Sequence, residues 1–387
     1  METIQPVRRV TDIDFLSGIL PDWCDKKTSF AMWRLPNTTT LHLLATDRPT
    51  IVQETNLEES PAGFLFAPFD PASKKYFFPA DEYHSFQEGQ LSYSSVPREV
   101  SQSRPNAQMF YPAPGRTVKA NDTNGYIRLV EQCIQEIAAG NFEKLVPSRC
   151  RKIDLPESFN LLLAFQSLCS QYPQAMVSVV SSPSLGTWMG ATPEMLARIT
   201  PDQHFQTVAI AGTQAWHEGM NKREITWSQK EIQEQALVER YIISCFKKIR
   251  LREYEERGPS TIQAGNVLHL KTEFDVDMVA TNFPLLGTTM LQLLHPTSAV
   301  CGMPLSSSLV FLREHEGYDR QFYSGYLGPV NLRQETNLYV NLRCMQILDN
   351  HIILYAGAGV LADSDPAKEW HETEMKMNTL LRIIQKS

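Results

Sequence analysis

The C-terminal part of the sequence joins a glycine-rich strand end to a helix that carries regularly spaced carboxylates. Residues 355–360 read YAGAGV, and Asp365 and Pro366 follow a few positions later. Asp is a favoured N-cap, and Pro suits the first helical position because it has no N–H to satisfy. The sequence therefore predicts a strand that leads directly into a helix running to near the C-terminus.

This predicted helix carries two stripes of side chains on a 3.6-residue wheel. The first is apolar and indicates the face that packs on the core, formed by Trp370, Met377, Leu380, Leu381 and Ile384. The second lies beside it and consists of Glu369, Glu372 and Lys376. Because exposed Glu/Lys pairs four residues apart are common on helices, this second stripe alone predicts only a solvated face.

A second predicted helix, at 223–246, places carboxylates in a less ordinary position. Its core-facing stripe comprises Trp227, Glu231, Glu234, Val238, Tyr241 and Cys245. Burying an ionised carboxylate costs several kcal/mol unless a partner compensates it. Carboxylate oxygens without Cys or His beside them suit Mg²⁺, but Arg or Lys side chains could neutralise them equally well. The spacing leaves both alternatives open.

Composition sets limits on the class of protein. The 387 residues are 42% hydrophobic and 20% charged, so the chain can bury a large core. The net charge of −7 argues against nucleic acid and anionic membranes as partners. The sequence has neither an apolar run of about 18 residues nor the pattern of a signal peptide at its N-terminus. The seven scattered cysteines are typical of reduced thiols, so we expect a cytoplasmic protein.

The order of predicted elements indicates an α+β fold with a large antiparallel component. Short strand patterns occur at 39–45, 62–66 and 75–78, before a loop rich in Pro, Ser and Arg. Late strand patterns at 324–331, 338–347 and 351–356 are too close together for parallel crossovers. We therefore expect large antiparallel sheets flanked by helices.

Several short motifs, taken in order, resemble one family. They are residues 144–149 (KLVPSR), 190–194 (GATPE), 211–213 (AGT), 230–234 (KEIQE), 294–302 (LHPTSAVCG) and the C-terminal block. The chain resembles the chorismate-utilising enzymes, which include isochorismate, salicylate, anthranilate and aminodeoxychorismate synthases. The resemblance implies the fold of anthranilate synthase component I and one chorismate-binding domain over 1–387. Within it, 1–117 is a divergent strand-rich layer and 118–387 the catalytic core.

The resemblance also implies a site and a role for each of its residues. Mg²⁺ is expected on Glu234 and Glu372, with Glu231 and Glu369 holding metal-bound waters. Lys144 is the expected general base for an attacking water, and Glu194 the expected acid for the departing hydroxyl. The residues expected to bind substrate are Gly212, Thr213, His269, Thr297, Ala299, Tyr323, Arg343, Gly357, Gly359 and Lys376.

Without the family, several of these residues have plainer interpretations. Lys144 would be a solvated lysine that begins a strand, and Glu194 a turn residue after a proline. Arg343 would occupy an exposed strand position, and His269 would be a core histidine with satisfied hydrogen bonds. These alternatives differ from the family expectation mainly in burial and contacts.

Two positions discriminate among members of the family. Anthranilate synthases usually lack a lysine where this chain has Lys144, and aminodeoxychorismate synthases usually carry one where it has Ala211. The chain therefore most resembles isochorismate synthases, which act on chorismate without a glutaminase subunit. The resemblance also implies a monomer. Salicylate synthase, which adds pyruvate elimination, is the main alternative; a non-catalytic relative is a further one. One departure is Gln235, where most relatives have His.

Overall fold

The structure, a computed structural model, describes residues 11–96, 104, 107–113, 122–217, 220–221, 224–264 and 267–385. The helices of this part are α1 (Asp12–Lys26), α2 (Thr123–Ala138), α3 (Leu161–Gln171), α4 (Gln229–Lys248), α5 (Leu286–Leu294), α6 (Leu305–His315) and α7 (Pro366–Ile384).

The strands of the same part are β1 (Ser29–Arg34), β2 (Leu41–Thr46), β3 (Thr50–Val52), β4 (Gly63–Ala67), β5 (Lys75–Pro79), β6 (Glu82–Gln87), β7 (Gln90–Ser94), β8 (Lys144–Leu145), β9 (Ser148–Asp154), β10 (Met176–Ser182), β11 (Gly186–Thr192), β12 (Met195–Ile199), β13 (His204–Ala215), β14 (Glu255–Ala264), β15 (Val267–Asp277), β16 (Gly302–Met303), β17 (Tyr326–Val330), β18 (Thr336–Val340), β19 (Cys344–Ile347) and β20 (His351–Gly357).

Two nine-stranded antiparallel sheets organise the chain. The first has the order β7-β6-β2-β1-β10-β11-β19-β20-β9, and the second has the order β14-β15-β13-β12-β18-β17-β4-β5-β3. Strands from the N-terminal region join both sheets, so they are hydrogen-bonded to the later strands. The expected α+β class with large antiparallel sheets is confirmed.

Buried apolar side chains form three clusters that define the layers of the fold. One cluster joins the first sheet to α1, α3 and α7, and another joins the second sheet to α2, α4, α5 and α6. The third cluster fills the space between the sheets, with Trp33, Phe64, Trp188 and Phe322 among its members. The molecule is thus layered as helices, sheet, sheet and helices.

Two of the points at which the chain passes between the sheets lie next to each other. The chain leaves β11 of the first sheet for β12 of the second at Pro193 and Glu194, and it returns from β18 to β19 at residues 341–343. The continuous strand predicted at 338–347 is therefore wrong. Arg343 has a φ of +47°, in the left-handed region, and this breaks the extended backbone.

Helix α7 begins where the sequence predicts, whereas α4 begins later. Asp365 caps α7 by accepting hydrogen bonds from the amides of Ala367 and Lys368. Helix α4 begins after Ser228, which forms a capping box with Glu231. The expectation that Glu231 faces the core is wrong, because its carboxylate accepts hydrogen bonds from the Ser228 amide and hydroxyl at the helix end.

A fully buried ion pair ties together the segments around β8 and β16. Glu316 and Arg320 have side chains that are each 2% exposed and lie 2.5 Å apart. The Arg320 guanidinium also donates to the carbonyls of Val146 at 2.7 Å and Val300 at 2.8 Å. Glu316 accepts a hydrogen bond from the Ser148 amide at 2.7 Å.

We expect Glu316→Ala to lower the free energy of unfolding by about 3–5 kcal/mol, because it leaves the Arg320 charge buried and unpaired. Chemical denaturation measures this change. The matched control is Glu335→Ala, which breaks an ion pair with Arg198 at the surface. In that pair the Arg198 side chain is 40% exposed and the Glu335 side chain 26% exposed. That control should cost at most about 1 kcal/mol. Equal losses in the two variants would contradict the prediction.

Two further expectations concern the whole chain. All seven cysteines lie in the described ranges, and none of them forms a disulfide there. Across those ranges, every helix is too short or too polar to cross a membrane.

Candidate active site

A cavity of about 80 Å³ lies where the two sheet crossings meet. Eleven of the residues expected from the sequence line it: Glu194, Gly212, Thr213, Glu234, His269, Ala299, Tyr323, Arg343, Gly357, Gly359 and Lys376. Lys144 lies directly behind the wall, since its Cε would be 3.1 Å from a Cβ placed on Gly359. Thr297 does not line the cavity but contacts Glu194, which does. Of the expected metal ligands, Glu231, Glu369 and Glu372 lie outside the lining.

Lys144 is held rigidly and out of solvent. Its strand β8 pairs with β16, and Leu145 forms a bridge with Val360. The Lys144 side chain is 0% exposed, and its Nζ lies 2.9 Å from Oε1 of Glu234. The interpretation of Lys144 as a solvated lysine is therefore wrong.

Glu194 enters the cavity at the crossing between β11 and β12. Its backbone carbonyl accepts a hydrogen bond from the Val340 amide at 2.9 Å, which links the two crossings. Its side chain is 6% exposed, and the Thr297 hydroxyl donates to Oε1 at 3.4 Å. Burial raises the pKa of Glu194 to about 7, although Lys144 opposes the shift. A carboxyl group with this pKa can hold a proton near neutrality and donate it.

Arg343 is a buried cation with an unusual set of contacts. It is 8% exposed, and burial lowers its pKa. Its guanidinium contacts the Thr379 hydroxyl at 3.5 Å and His269 Nε2 at 3.3 Å. Among the described residues, no carboxylate lies within ion-pair distance of it. A planar donor group without a counter-ion is suited to an anionic ligand.

His269 orients this guanidinium. Its Nδ1 donates to the carbonyl of Gly212 at 2.7 Å, so Nε2 carries the lone pair that faces Arg343. Burial, followed by the charge of Arg343, lowers the pKa of His269 to about 3, which keeps the ring neutral. Gly212 has a φ of +68° at a bulge in β13, and this turns its carbonyl toward His269.

The carboxylates expected to bind Mg²⁺ lie on α4 and α7. Glu372 lies 2.7 Å from Lys376, and Glu369 lies 2.5 Å from Lys230. Burial and then the nearby Glu372 raise the pKa of Glu369 to about 7. For Glu234, burial raises the pKa, but Lys144, followed by Lys230 and Lys376, outweighs it, so the pKa is lowered.

The donor chemistry of these carboxylates fits a hard cation. Oε2 of Glu369 is buried and has no hydrogen-bond partner among the described residues, and a Cβ on Gly359 would lie only 2.1 Å from Oε1 of Glu234. However, each of Glu234, Glu369 and Glu372 is already paired with a lysine side chain. Within the described ranges no three His, Cys, Asp or Glu side chains are grouped closely enough to hold a metal ion.

Gln235 occupies the position where most relatives have His. It is 2% exposed, and its amide nitrogen donates to Ala209 at 3.2 Å, Thr272 at 3.2 Å and Glu239 at 3.1 Å. It therefore joins α4 to β13 and β15, and it lies outside the lining of the cavity.

Sequence reasoning assigned no role to several residues that shape the site. Lys230 and Thr379 contact expected functional groups from neighbouring elements, and Pro193 lines the cavity. A second cavity, of about 260 Å³, shares Pro193 and Arg343 with the first. Lys230 was recognisable as one helical turn before Glu234, but its actual partner lies on another helix.

The comparisons identify the family. Residues 83–385 match the family described as chorismate binding enzyme, and the chain belongs to that family of enzymes. The resemblance inferred from the motifs is thereby confirmed. One relative is the isochorismate synthase EntC of Escherichia coli (strain K12), which is 26% identical over 324 residues, covering 82% of this chain and 79% of the relative.

Two solved structures share the fold. The first is MenF, the menaquinone-specific isochorismate synthase from Escherichia coli, with a TM-score of 0.76 and 21% identity over 98% of this chain and 92% of that one. The second is anthranilate synthase component I from Streptococcus pneumoniae TIGR4, with a TM-score of 0.65 and 16% identity over 91% of this chain and 89% of that one. The expected fold is confirmed.

Proposed function

We propose that this chain is an isochorismate synthase, an isomerase that converts chorismate to isochorismate. The observation that supports this most is the pairing of two buried groups at one cavity: Lys144, shielded from water, and Glu194, whose pKa is raised to about 7. General acid–base chemistry uses a base and an acid that are held in place and shielded from solvent beside the substrate. The isochorismate synthase relatives support the same reaction.

In the proposed reaction each residue handles a defined proton or charge. Lys144, acting as a neutral amine, takes a proton from a water molecule, whose oxygen forms a bond to ring carbon 2. The ring double bonds shift, and the bond from carbon 4 to its hydroxyl breaks as Glu194 gives that oxygen a proton. One water is consumed and one is released, so the change is an isomerisation.

Binding relies on the carboxylates of the substrate. Arg343, Tyr323 and the backbone near Gly357 and Gly359 would hold the enolpyruvyl carboxylate. Glu234 and Glu372 would hold Mg²⁺, with Glu231 and Glu369 near its bound waters. When bound, Mg²⁺ would orient the ring carboxylate and polarise the developing charge.

Ammonia plays no part in this proposal. Ala211 stands where aminodeoxychorismate synthases usually carry a nucleophilic lysine, and its side chain lines the cavity beside Gly212. We propose that the enzyme works in the cytoplasm as a monomer and without a glutaminase subunit.

The test is to incubate the purified protein with chorismate and Mg²⁺, without ammonia, and to resolve the products by chromatography. Isochorismate as the sole product is expected. Salicylate with stoichiometric pyruvate would assign the chain to the salicylate synthases instead. Absence of turnover, with metal binding measured separately, would contradict the proposed function.

A further inference from the structure

Three lysines neutralise the three carboxylates at the expected metal position. Lys144 pairs with Glu234 at 2.9 Å, Lys376 pairs with Glu372 at 2.7 Å, and Lys230 pairs with Glu369 at 2.5 Å. Ion pairing compensates the cost of burying these carboxylates. It also occupies oxygens that a metal ion would need.

Lys230 differs from the other two lysines in its surroundings. Lys144 is fully buried, and Lys376 also donates to the carbonyl of Gly357 at 2.9 Å. The Lys230 side chain is 24% exposed, whereas its partner Glu369 is 1% exposed. The flexible, partly exposed Lys230 side chain can therefore leave the Glu369 carboxylate and enter solvent without crossing the core.

The charge of Lys230 acts on the whole carboxylate group. Its partner Glu369 lies one turn before Glu372 on α7, and Glu234 lies one turn after Lys230 on α4. Lys230 thus joins the first turn of α4 to the first turn of α7. These are the two helices that carry the carboxylates expected to bind metal.

We propose that Lys230 is a tethered counter-cation that competes with Mg²⁺ for the carboxylates of α4 and α7. This inference rests on the proposed function, because it concerns the metal position of that site. In the metal-free protein the Lys230 ammonium neutralises Glu369, and binding of Mg²⁺ requires this ammonium to move into solvent. The closed state has Lys230 paired with Glu369, and the open state has Lys230 in solvent. If the closed state is about ten times more populated than the open state, the apparent affinity for Mg²⁺ is about tenfold weaker.

The competition can be measured without turnover. Isothermal titration of the full chain with MgCl₂ gives the dissociation constant, and Lys230→Met should bind Mg²⁺ about tenfold more tightly than the wild type. The matched control is Lys248→Met, which removes the same charge from an exposed position on the same helix. That residue is about 27 Å along the helix from Lys230, so its loss should change affinity less than twofold.

A second readout separates displacement from a general change in charge. Acetic anhydride labelling followed by mass spectrometry reports how accessible each lysine is. Addition of Mg²⁺ to the wild type should raise labelling of Lys230 several-fold while leaving Lys248 unchanged.

Each outcome decides between the inference and the function it rests on. Unchanged or weaker Mg²⁺ binding by Lys230→Met, or labelling of Lys230 that Mg²⁺ does not increase, would overturn the competition alone. Failure of the wild type and both variants to bind Mg²⁺ would overturn the metal requirement of the proposed function as well.

Discussion

Replacing Glu194 by Gln is expected to lower kcat by about 10²- to 10⁴-fold, the usual contribution of a positioned acid or base. Gln keeps the shape of the side chain and can still contact the Thr297 hydroxyl, but it has no proton to give to a departing hydroxyl. Substrate binding, measured by equilibrium titration with chorismate, should change little. Glu314→Gln, at an exposed position of α6, is the control.

The pH dependence of the reaction tests the same assignment. Burial raises the pKa of Glu194 to about 7, so its acid form is present below that value and is lost as the pH rises through it. In the wild type, kcat should therefore fall above about pH 7. The residual activity of Glu194→Gln should lack this decline, and retention of the same decline would remove Glu194 from the role of acid.

At alkaline pH, Glu194→Gln should lower the activity of the enzyme but not its stability. Because the folded-state pKa of Glu194 lies above its ordinary value of 4.5, the native state holds this proton more tightly than the unfolded chain does. The resulting stabilisation is fully present below pH 4.5 and is lost as the pH rises to about 7. At pH 8 the metal-free Glu194→Gln variant should thus be at least as stable as the wild type in denaturant titrations.

The sequence predicts the members of the site better than the way the fold assembles them. Lys144, Gly357 and Glu369 lie at a strand end or in the first turn of a helix, where capping and glycine signals are local. The sheet crossings at Glu194 and Arg343 were not predictable in this way. Alternation of apolar residues continues from Leu338 to Cys344, past the crossing at 341–343, so no local signal shows where the strand changes sheet.

Ion-pair partners form another limit of sequence reasoning. The helical spacing of Glu231 and Glu234 predicts a common buried face, but a capping box at Ser228 turns Glu231 to the helix end. The partner of Glu369 is Lys230, which is distant in sequence and becomes close only when α4 and α7 are both docked. Local periodicity contains no information about such pairs. The sequence alone therefore could not show whether Mg²⁺ or a lysine neutralises the buried carboxylates.

Replacing Arg343 by Met is expected to lower kcat/KM strongly while leaving the free enzyme about as stable as the wild type. In the free enzyme, a buried guanidinium without an ion-pair partner among the described residues contributes an uncompensated cost of burial. A substrate carboxylate would supply the missing partner. Loss of one member of a buried charge pair costs about 2–5 kcal/mol of binding, which is roughly 30- to 5,000-fold.

Steady-state kinetics and denaturant titrations together decide this prediction. If Arg343 holds the carboxylate equally in the ground and transition states, KM rises and kcat changes little. Arg343→Lys keeps the charge but loses the planar fork, so it should fall between the wild type and Arg343→Met. The control Arg198→Met removes a half-exposed arginine and should leave kcat/KM within about twofold of the wild type.

A purely structural Arg343 predicts the reverse pattern. Its contacts with His269 and Thr379 are hydrogen bonds to uncharged partners at 3.3 and 3.5 Å, longer than a usual charge-assisted bond. Loss of several kcal/mol of stability in Arg343→Met, with kcat/KM preserved, would mean that the guanidinium serves the fold. Loss of kcat/KM at unchanged stability would mean that the protein bears the cost of a buried charge for the sake of its substrate.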